Sequence, residues 1–146
     1  MDSRDIMIYF IVNITARTGK SRAIWMEMKE ILENRSIEYK AFQTKYAGHA
    51  TDLARKISSL PEDRIYLITV GGDGTLNEVI NGITDFSRIV LGILPIGSGN
   101  DFARSLRLSK RPGKGLKRVL HPKYYRLVDY GVLSYGEEEV KHRRFV

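Results

Sequence analysis

Val70-Gly71-Gly72-Asp73-Gly74-Thr75-Leu76-Asn77-Glu78-Val79-Ile80-Asn81-Gly82 is the stretch on which the fold turns. Just upstream, Ile65 to Val70 is a short apolar and β-branched run bounded by Pro61-Glu62-Asp63-Arg64, the pattern of a buried strand. Just downstream, Leu76, Val79, Ile80 and Ile83 fall at i, i+3, i+4 and i+7, one face of a helix. The stretch therefore predicts strand, glycine loop, helix. Thr75, followed three residues later by Glu78, has capping-box spacing, so the loop is expected to end where Thr75 caps the first turn.

Gly71, Gly72 and Gly74 let the backbone approach a ligand with no side chain in the way, and loop N–H groups at a helix start suit phosphate. Asp73 departs from a plain phosphate cradle, because a carboxylate repels polyphosphate unless it has a role. It can contact Mg²⁺ through water, or accept a proton from an attacking hydroxyl. The alternative is a tight turn whose glycines solve a backbone problem and whose aspartate is a cap.

Working outward, the same unit recurs. Ile6 to Val12 reads as a strand, Asn13 to Lys20 as a polar loop, and Ser21 as the cap of a helix carrying Ile24, Met28, Ile31 and Leu32 inward. Ser36 to Phe42 alternates as a strand. Gln43-Thr44 follows it, and Gly48-His49-Ala50 opens a helix with Leu53, Ala54 and Ile57 inward; His49 reads as a helix-start residue. Ile89 to Leu94 is another apolar run, leading into Pro95-Ile96-Gly97-Ser98-Gly99-Asn100-Asp101-Phe102-Ala103-Arg104. There Ser98 and Asp101 also fit a capping box. Beyond Leu108 the expectations are a short helix over Lys114 to Leu120, a strand pair beginning over Tyr124 to Leu133 with Asp129-Tyr130-Gly131 as its turn, a polar break at Glu137 to Glu139, and a further strand over Val140 to Val146.

With 146 residues, 42% hydrophobic and 28% charged, the chain suits one globular domain. Its apolar runs fall short of the roughly 20 residues of a membrane span. Met1 to Asp5 is mixed in charge and lacks a secretory pattern. The absence of cysteine excludes disulfides and thiolate metal sites, and three scattered histidines do not suit zinc. A cytoplasmic protein is expected. The net charge of +7 is concentrated: Phe102 to Val128 holds Arg104, Arg107, Lys110, Arg111, Lys114, Lys117, Arg118, Lys123 and Arg126 with no acid, leaving a slight acidic excess elsewhere. An anionic membrane, nucleotide phosphates, nucleic acid or a merely solvated face would each account for that segment.

GGDGTLNEVING resembles the glycine-rich signature of the diacylglycerol kinase catalytic domain family, which takes in sphingosine and bacterial lipid kinases and is distantly related to NAD kinases. Pro95 to Arg104 is the second match, differing from the family's Pro-x-Gly-Thr-x-Asn-Asp-Phe-Ala-Arg only in Ser98. Asn13, Gly19 and Lys20 match the first loop, where Ile14 replaces the usual proline, and Thr44 and the Gly48-His49-Ala50 opening match the second. The resemblance implies an ATP- and Mg²⁺-dependent phosphotransferase acting on a lipid with a free hydroxyl, diacylglycerol-like, at the periphery of an anionic membrane. It implies that Gly71, Gly72, Gly74 and Thr75 hold phosphates and that Asn13, Thr44 and Ser98 complete the nucleotide site. Gly19, Lys20, Asn77, Glu78, Gly97, Asn100 and Asp101 join that set, with Asp73 as base or as part of the phosphate and metal site and no metal ligands assignable in this chain.

Strands alternating with helices, several apolar throughout, predict an α/β fold: a mostly parallel, Rossmann-like sheet, similar to the N-terminal domain of NAD kinases, with helices on both faces and its three loops at the carboxyl edge where ligands bind. By the resemblance, residues 1–146 are the nucleotide-binding N-terminal domain, inactive alone, and a C-terminal β-rich domain is absent from this chain; the strand-like run at Val140 to Val146, ending without a polar tail, supports that expectation. An NAD or polyphosphate kinase would share the central signature, though Pro95 to Arg104 matches lipid kinases better. A nucleic-acid module is favoured only by the basic segment and lacks aromatic-basic motifs, so no nucleic acid is expected. A homo-oligomer is left open.

Overall fold

The computed structural model describes residues 6–15, 19–121 and 126–146. Four strands, β1 (Ile8–Val12), β2 (Tyr39–Gln43), β3 (Ile65–Gly71) and β4 (Ile89–Pro95), form one all-parallel sheet in the order β2-β1-β3-β4. Register runs from Ile8 opposite Tyr39 and Tyr66 to Gly71 opposite Pro95. The expected sheet is present, with the first two strand starts later than the apolar runs alone indicate.

Because successive strand residues point to opposite faces, the apolar strands feed two cores. Phe10 and Val12 of β1, Ile68 and Val70 of β3 and Leu94 of β4 face one layer. It is closed by α1 (Lys20–Asn34), through Trp25, Met28 and Leu32, and by α5 (Pro112–Leu120), through Leu116. Tyr9, Ile11, Ile65 and Leu67 face the other layer, against Ala50, Ala54 and Ile57 of α2 (His49–Ser58) and Val79 of α3 (Asp73–Gly82). Leu76, Val79, Ile80 and Ile83 are all buried, as their spacing requires. On the first layer Trp25 joins the expected inward face of α1, and Phe10 meets it at a ring separation of 5.5 Å.

At the amino edge the Tyr9 hydroxyl donates to Glu62 Oε1 at 2.5 Å. The Arg88 guanidinium gathers the carbonyls of Ser58, Leu60 and Glu62 at 2.7 to 2.9 Å, satisfying acceptors at the end of α2.

Three local expectations are corrected. Ser21 does not cap α1: Gly19, at φ 80°, is the N-cap, and Ser21 lies buried inside the helix. Thr75 does not cap α3, which starts at Asp73 after Gly72, leaving Thr75 buried in the first turn. The predicted turn at Asp129-Tyr130-Gly131 is not a turn: β5 (Gly131–Tyr135) begins there and pairs antiparallel with β6 (Lys141–Phe145). Its reversal falls at Gly136 to Val140, with Gly136 at φ 106°. Tyr130 instead stacks on Phe86. Met1 to Asp5, Pro122, Lys123 and the Tyr124-Tyr125 start of the expected strand lie outside the described residues.

Candidate active site at the carboxyl edge

Backbone pairing continues past the strand ends and sets the loops side by side. Thr44 N–H donates to the Val12 carbonyl at 2.9 Å, Asn13 N–H to Val70 at 2.8 Å and Ile96 N–H to Gly71 at 3.0 Å. The turns carrying Thr44, Asn13, Gly71 and Gly97 therefore follow the strand order across one edge. The Asn13 side chain ties two of them together: its Nδ2 donates to Thr75 Oγ1 at 3.1 Å, and its Oδ1 accepts from the Thr15 N–H and hydroxyl at 3.0 and 2.6 Å.

The central turn and the turn after β4 meet backbone to backbone. A Cβ on Gly97 would stand 2.6 Å from Gly72 Cα and 3.0 Å from Asn100 Oδ1, a separation only glycine permits. A Cβ on Gly71 would stand 2.6 Å from Thr75 Oγ1. Asn100 takes a left-handed conformation at φ 57°, donates from Nδ2 to the Gly97 carbonyl at 2.7 Å, and precedes the short helix α4 (Asp101–Ser105).

Asp73 lies at the seam. Its Oδ2 accepts the Asp101 N–H at 2.8 Å and its Oδ1 the Phe102 N–H at 3.3 Å, so it caps a helix other than its own. Ser98 is exposed and the N-cap residue Asn100 makes no side-chain capping bond of its own, so the alternative capping box of Ser98 and Asp101 is not formed. Asp101 pairs outward with Arg104. Glu78 behaves as Asp73 does: its two oxygens accept the N–H groups of Gly48 and Ala50 at 3.0 and 3.2 Å, capping α2 rather than closing a box with Thr75. Gly48, at φ 88°, is the N-cap of α2 and supplies no side chain.

A cavity of about 230 Å³ opens beside this seam, lined by Asp73, Leu76, Asn77, Asp101, Phe102 and Val146. Asn77 Oδ1 and Asn100 Oδ1 are buried without a hydrogen-bond partner among the described residues. The structure thus brings together Asn13, Gly71, Gly72, Asp73, Thr75, Gly97, Asn100 and Asp101, with Thr44 adjoining and Gly74 and Ser98 exposed at the rim. Asn77 lines the cavity and Glu78 turns to α2. Gly19 and Lys20 are exposed at the start of α1, and the rest of their expected contact, Ala16 to Thr18, lies outside the described residues. Phe102 escaped the sequence reading, though its place beside the Asn-Asp pair was the available signal.

The basic residues Arg104, Arg107, Lys110, Arg111, Lys114, Lys117 and Arg118 are all exposed, while Gly115 and Leu116 face inward from α5. Lys123 lies outside the described residues. Among the described residues no group of three His, Cys, Asp or Glu side chains could hold a metal ion, and both Asp73 oxygens already accept N–H groups. No helix among them is long and apolar enough to cross a membrane.

A parallel sheet with paired glycine turns packed together at its carboxyl edge is an α/β architecture of the kind whose ligands bind at that edge. The model of the diacylglycerol kinase catalytic domain matches residues 7–131, and the chain belongs to that family. It is 45% identical to a diacylglycerol kinase of Staphylococcus carnosus over 99 residues, covering 67% of this chain and 32% of that protein. YtlR of Bacillus subtilis, which carries a lipid-kinase name, is 40% identical over 103 residues, covering 70% and 33%. The crystal structure of a diacylglycerol kinase from Bacillus anthracis is similar with a TM-score of 0.63 at 28% identity, covering 78% of this chain and 38% of that one. The chain spans about a third of the length of the curated relatives it matches.

Proposed function

We propose that this chain is the nucleotide-binding part of a diacylglycerol kinase-like lipid kinase, transferring the γ-phosphoryl group of ATP to the hydroxyl of a lipid. The observation that carries the reading is the contact of Gly97 with Gly72, which leaves bare backbone from two turns on one edge. The residues present fit a nucleotide: the turns are free of side chains where they meet, and Asn100 Oδ1 is a buried acceptor awaiting a donor. The described residues offer Mg²⁺ no set of three carboxylate or imidazole ligands.

When bound, ATP supplies the phosphoryl group, and the chain's own part is to position and neutralise charge. The turns at Gly71 to Thr75 and Gly97 to Asn100 cradle phosphates, with Asn13 and Thr44 bordering them; Gly19 and Lys20 reach in from the first loop. Asp73 holds α4 with one lone pair of each oxygen. A second lone pair on each remains, so the carboxylate is able to accept the proton of a hydroxyl entering the cavity. The basic segment Arg104 to Arg126 brings the protein to anionic lipid from the cytoplasmic side.

The test is incubation of the full-length protein with labelled ATP, Mg²⁺ and a lipid panel, with NAD and oligonucleotides as separate arms. Labelled lipid is expected. Labelled NAD without labelled lipid, or oligonucleotide binding without ATP binding, overturns the reading. The 146-residue chain alone is expected to bind ATP weakly without turnover, since it spans only about a third of its relatives.

A further inference from the structure

The β5–β6 hairpin stands outside the parallel sheet, and two strands alone have little stability in water. One joint fastens it to α3. The Asn81 carboxamide takes both backbone groups of Arg144: Nδ2 donates to its carbonyl at 2.9 Å and Oδ1 accepts its N–H at 2.8 Å. A side chain thereby does what a neighbouring strand would do. The Arg144 guanidinium donates to the Ile80 and Ile83 carbonyls at 2.9 and 2.7 Å, acceptors left over where α3 ends. It lies over the Phe86 and Tyr130 rings, 4.9 and 5.6 Å from their centroids.

The joint decides where the hairpin stands relative to α3, and the hairpin walls two cavities along that helix. Val146, just past β6, faces Asp73, Asn77 and Phe102 across the first cavity. Tyr135, His142 and Arg143 face Thr51 and Glu78 across a second, of about 330 Å³. Asp73, Asn77 and Asn81 recur every four residues, so one polar stripe runs from the glycine turn to the joint.

We propose that Asn81 and Arg144 are positioning residues for the acceptor: by clamping the hairpin to α3 they set the width of the cavity beside Asp73 into which the hydroxyl-bearing molecule enters. This rests on the kinase reading above. Asn81 sits about 12 Å along the helix from Asp73, outside the phosphate turns, so the clamp governs the acceptor and leaves the nucleotide unaffected.

The test compares Asn81→Leu, which removes both bonds to the Arg144 backbone at similar volume, with Arg144→Lys, which keeps the charge but loses the planar guanidinium that lies over the Phe86 and Tyr130 rings while Nη1 serves both carbonyls. Both are made in the full-length protein. Asn81→Asp, which keeps the acceptor for the Arg144 N–H, is the conservative control. In Asn81→Leu, amides of residues 131–145 should exchange about tenfold faster while those of 65–71 stay protected. The acceptor KM should rise about tenfold, within the hundredfold that a misplacement of 1 Å costs. The ATP KM should stay within about twofold, Arg144→Lys should follow Asn81→Leu, and Asn81→Asp should recover part of the loss. Unchanged exchange in the hairpin, an unchanged acceptor KM, or acceptor and ATP constants rising together would each overturn the clamp. A wild-type protein that phosphorylates no lipid sinks the kinase reading itself, which an active wild type with an indifferent Asn81→Leu variant does not.

Discussion

Asp73, in the first turn of α3, accepts the backbone N–H of Asp101 at 2.8 Å and so joins the two glycine turns through one carboxylate. Asn in its place offers one acceptor oxygen for two N–H groups. Asp73→Asn is expected to lower stability by about 1.5–3 kcal/mol, the scale of a hydrogen bond to a charged group, and leave the circular dichroism spectrum intact. Turnover of the full-length protein should fall at least about 100-fold, the scale of lost proton transfer. Activity within about tenfold, some 1.4 kcal/mol of barrier, would remove Asp73 from the chemistry.

Gly72 and Gly97 are not equally replaceable. A methyl on Gly72 would meet Gly97 Cα at 3.4 Å, ordinary contact, whereas one on Gly97 would meet Gly72 Cα at 2.6 Å with backbone on both sides. Gly97→Ala should cost about 1–3 kcal/mol of stability and weaken ATP binding, with Gly72→Ala much milder. The bulkier Gly72→Val should block the approach of phosphate. Calorimetric ATP titration of the three variants checks the order, and equal affinities would break the phosphate assignment.

Glu78 supplies the cap that Gly48 lacks. Glu78→Ala leaves the first N–H groups of α2 without their acceptors and should lower the thermal midpoint by an amount equivalent to about 1–2 kcal/mol. Glu78→Gln, keeping one acceptor, should fall between. A melting curve unchanged by Glu78→Ala would show that water replaces the cap at no cost.

The Tyr9–Glu62 pair gives two pH limbs. Burial and then the Glu62 bond push the Tyr9 phenol from 10.0 up to about 12. Being raised, it contributes stability below pH 10 that is lost as pH climbs towards about 12. The Tyr9 bond, foremost, holds Glu62 below its ordinary 4.5. Being depressed, it contributes stability above that value that is lost as pH falls through its folded-state value. Denaturant titrations across pH should find wild type and Tyr9→Phe converging at both extremes, and parallel curves would count against the pair.

The exposed bases of the segment Arg104 to Arg126 should draw the protein to anionic vesicles, each contributing at most about 1 kcal/mol. Sedimentation should fall as salt rises. Equal binding to neutral and anionic vesicles would leave the basic face as solvated surface only.

The sheet and its helices were legible because burial writes a period into the chain: Leu76, Val79, Ile80 and Ile83 are buried as their spacing requires. The caps were not. Capping-box logic looks three residues away, whereas Glu78 finds its donors at Gly48 and Ala50 and Asp73 finds its own at Asp101 and Phe102. Nothing in local spacing reports a partner brought near by the sheet. The first strand of the hairpin was misplaced for a similar reason, Tyr130 leaving the strand pattern to stack on Phe86 from another element, whereas the polar break at Glu137 to Glu139 and the strand after it were legible. Of the site, the turns were legible and the seam between them was not.

The strand order has a cost during synthesis. β1 is an inner strand whose two neighbours, β2 and β3, both follow it in the chain. At ribosomal rates, roughly 3–12 s pass between the emergence of Ile8 and that of its partner Tyr66. Both edges of this apolar segment are open until β2 emerges about halfway through that interval, and the edge that β3 takes stays open to any other nascent strand until its end. Expression yield should therefore depend on chaperone supply and on translation speed between Val12 and Ile65 more than on the stability of the finished sheet.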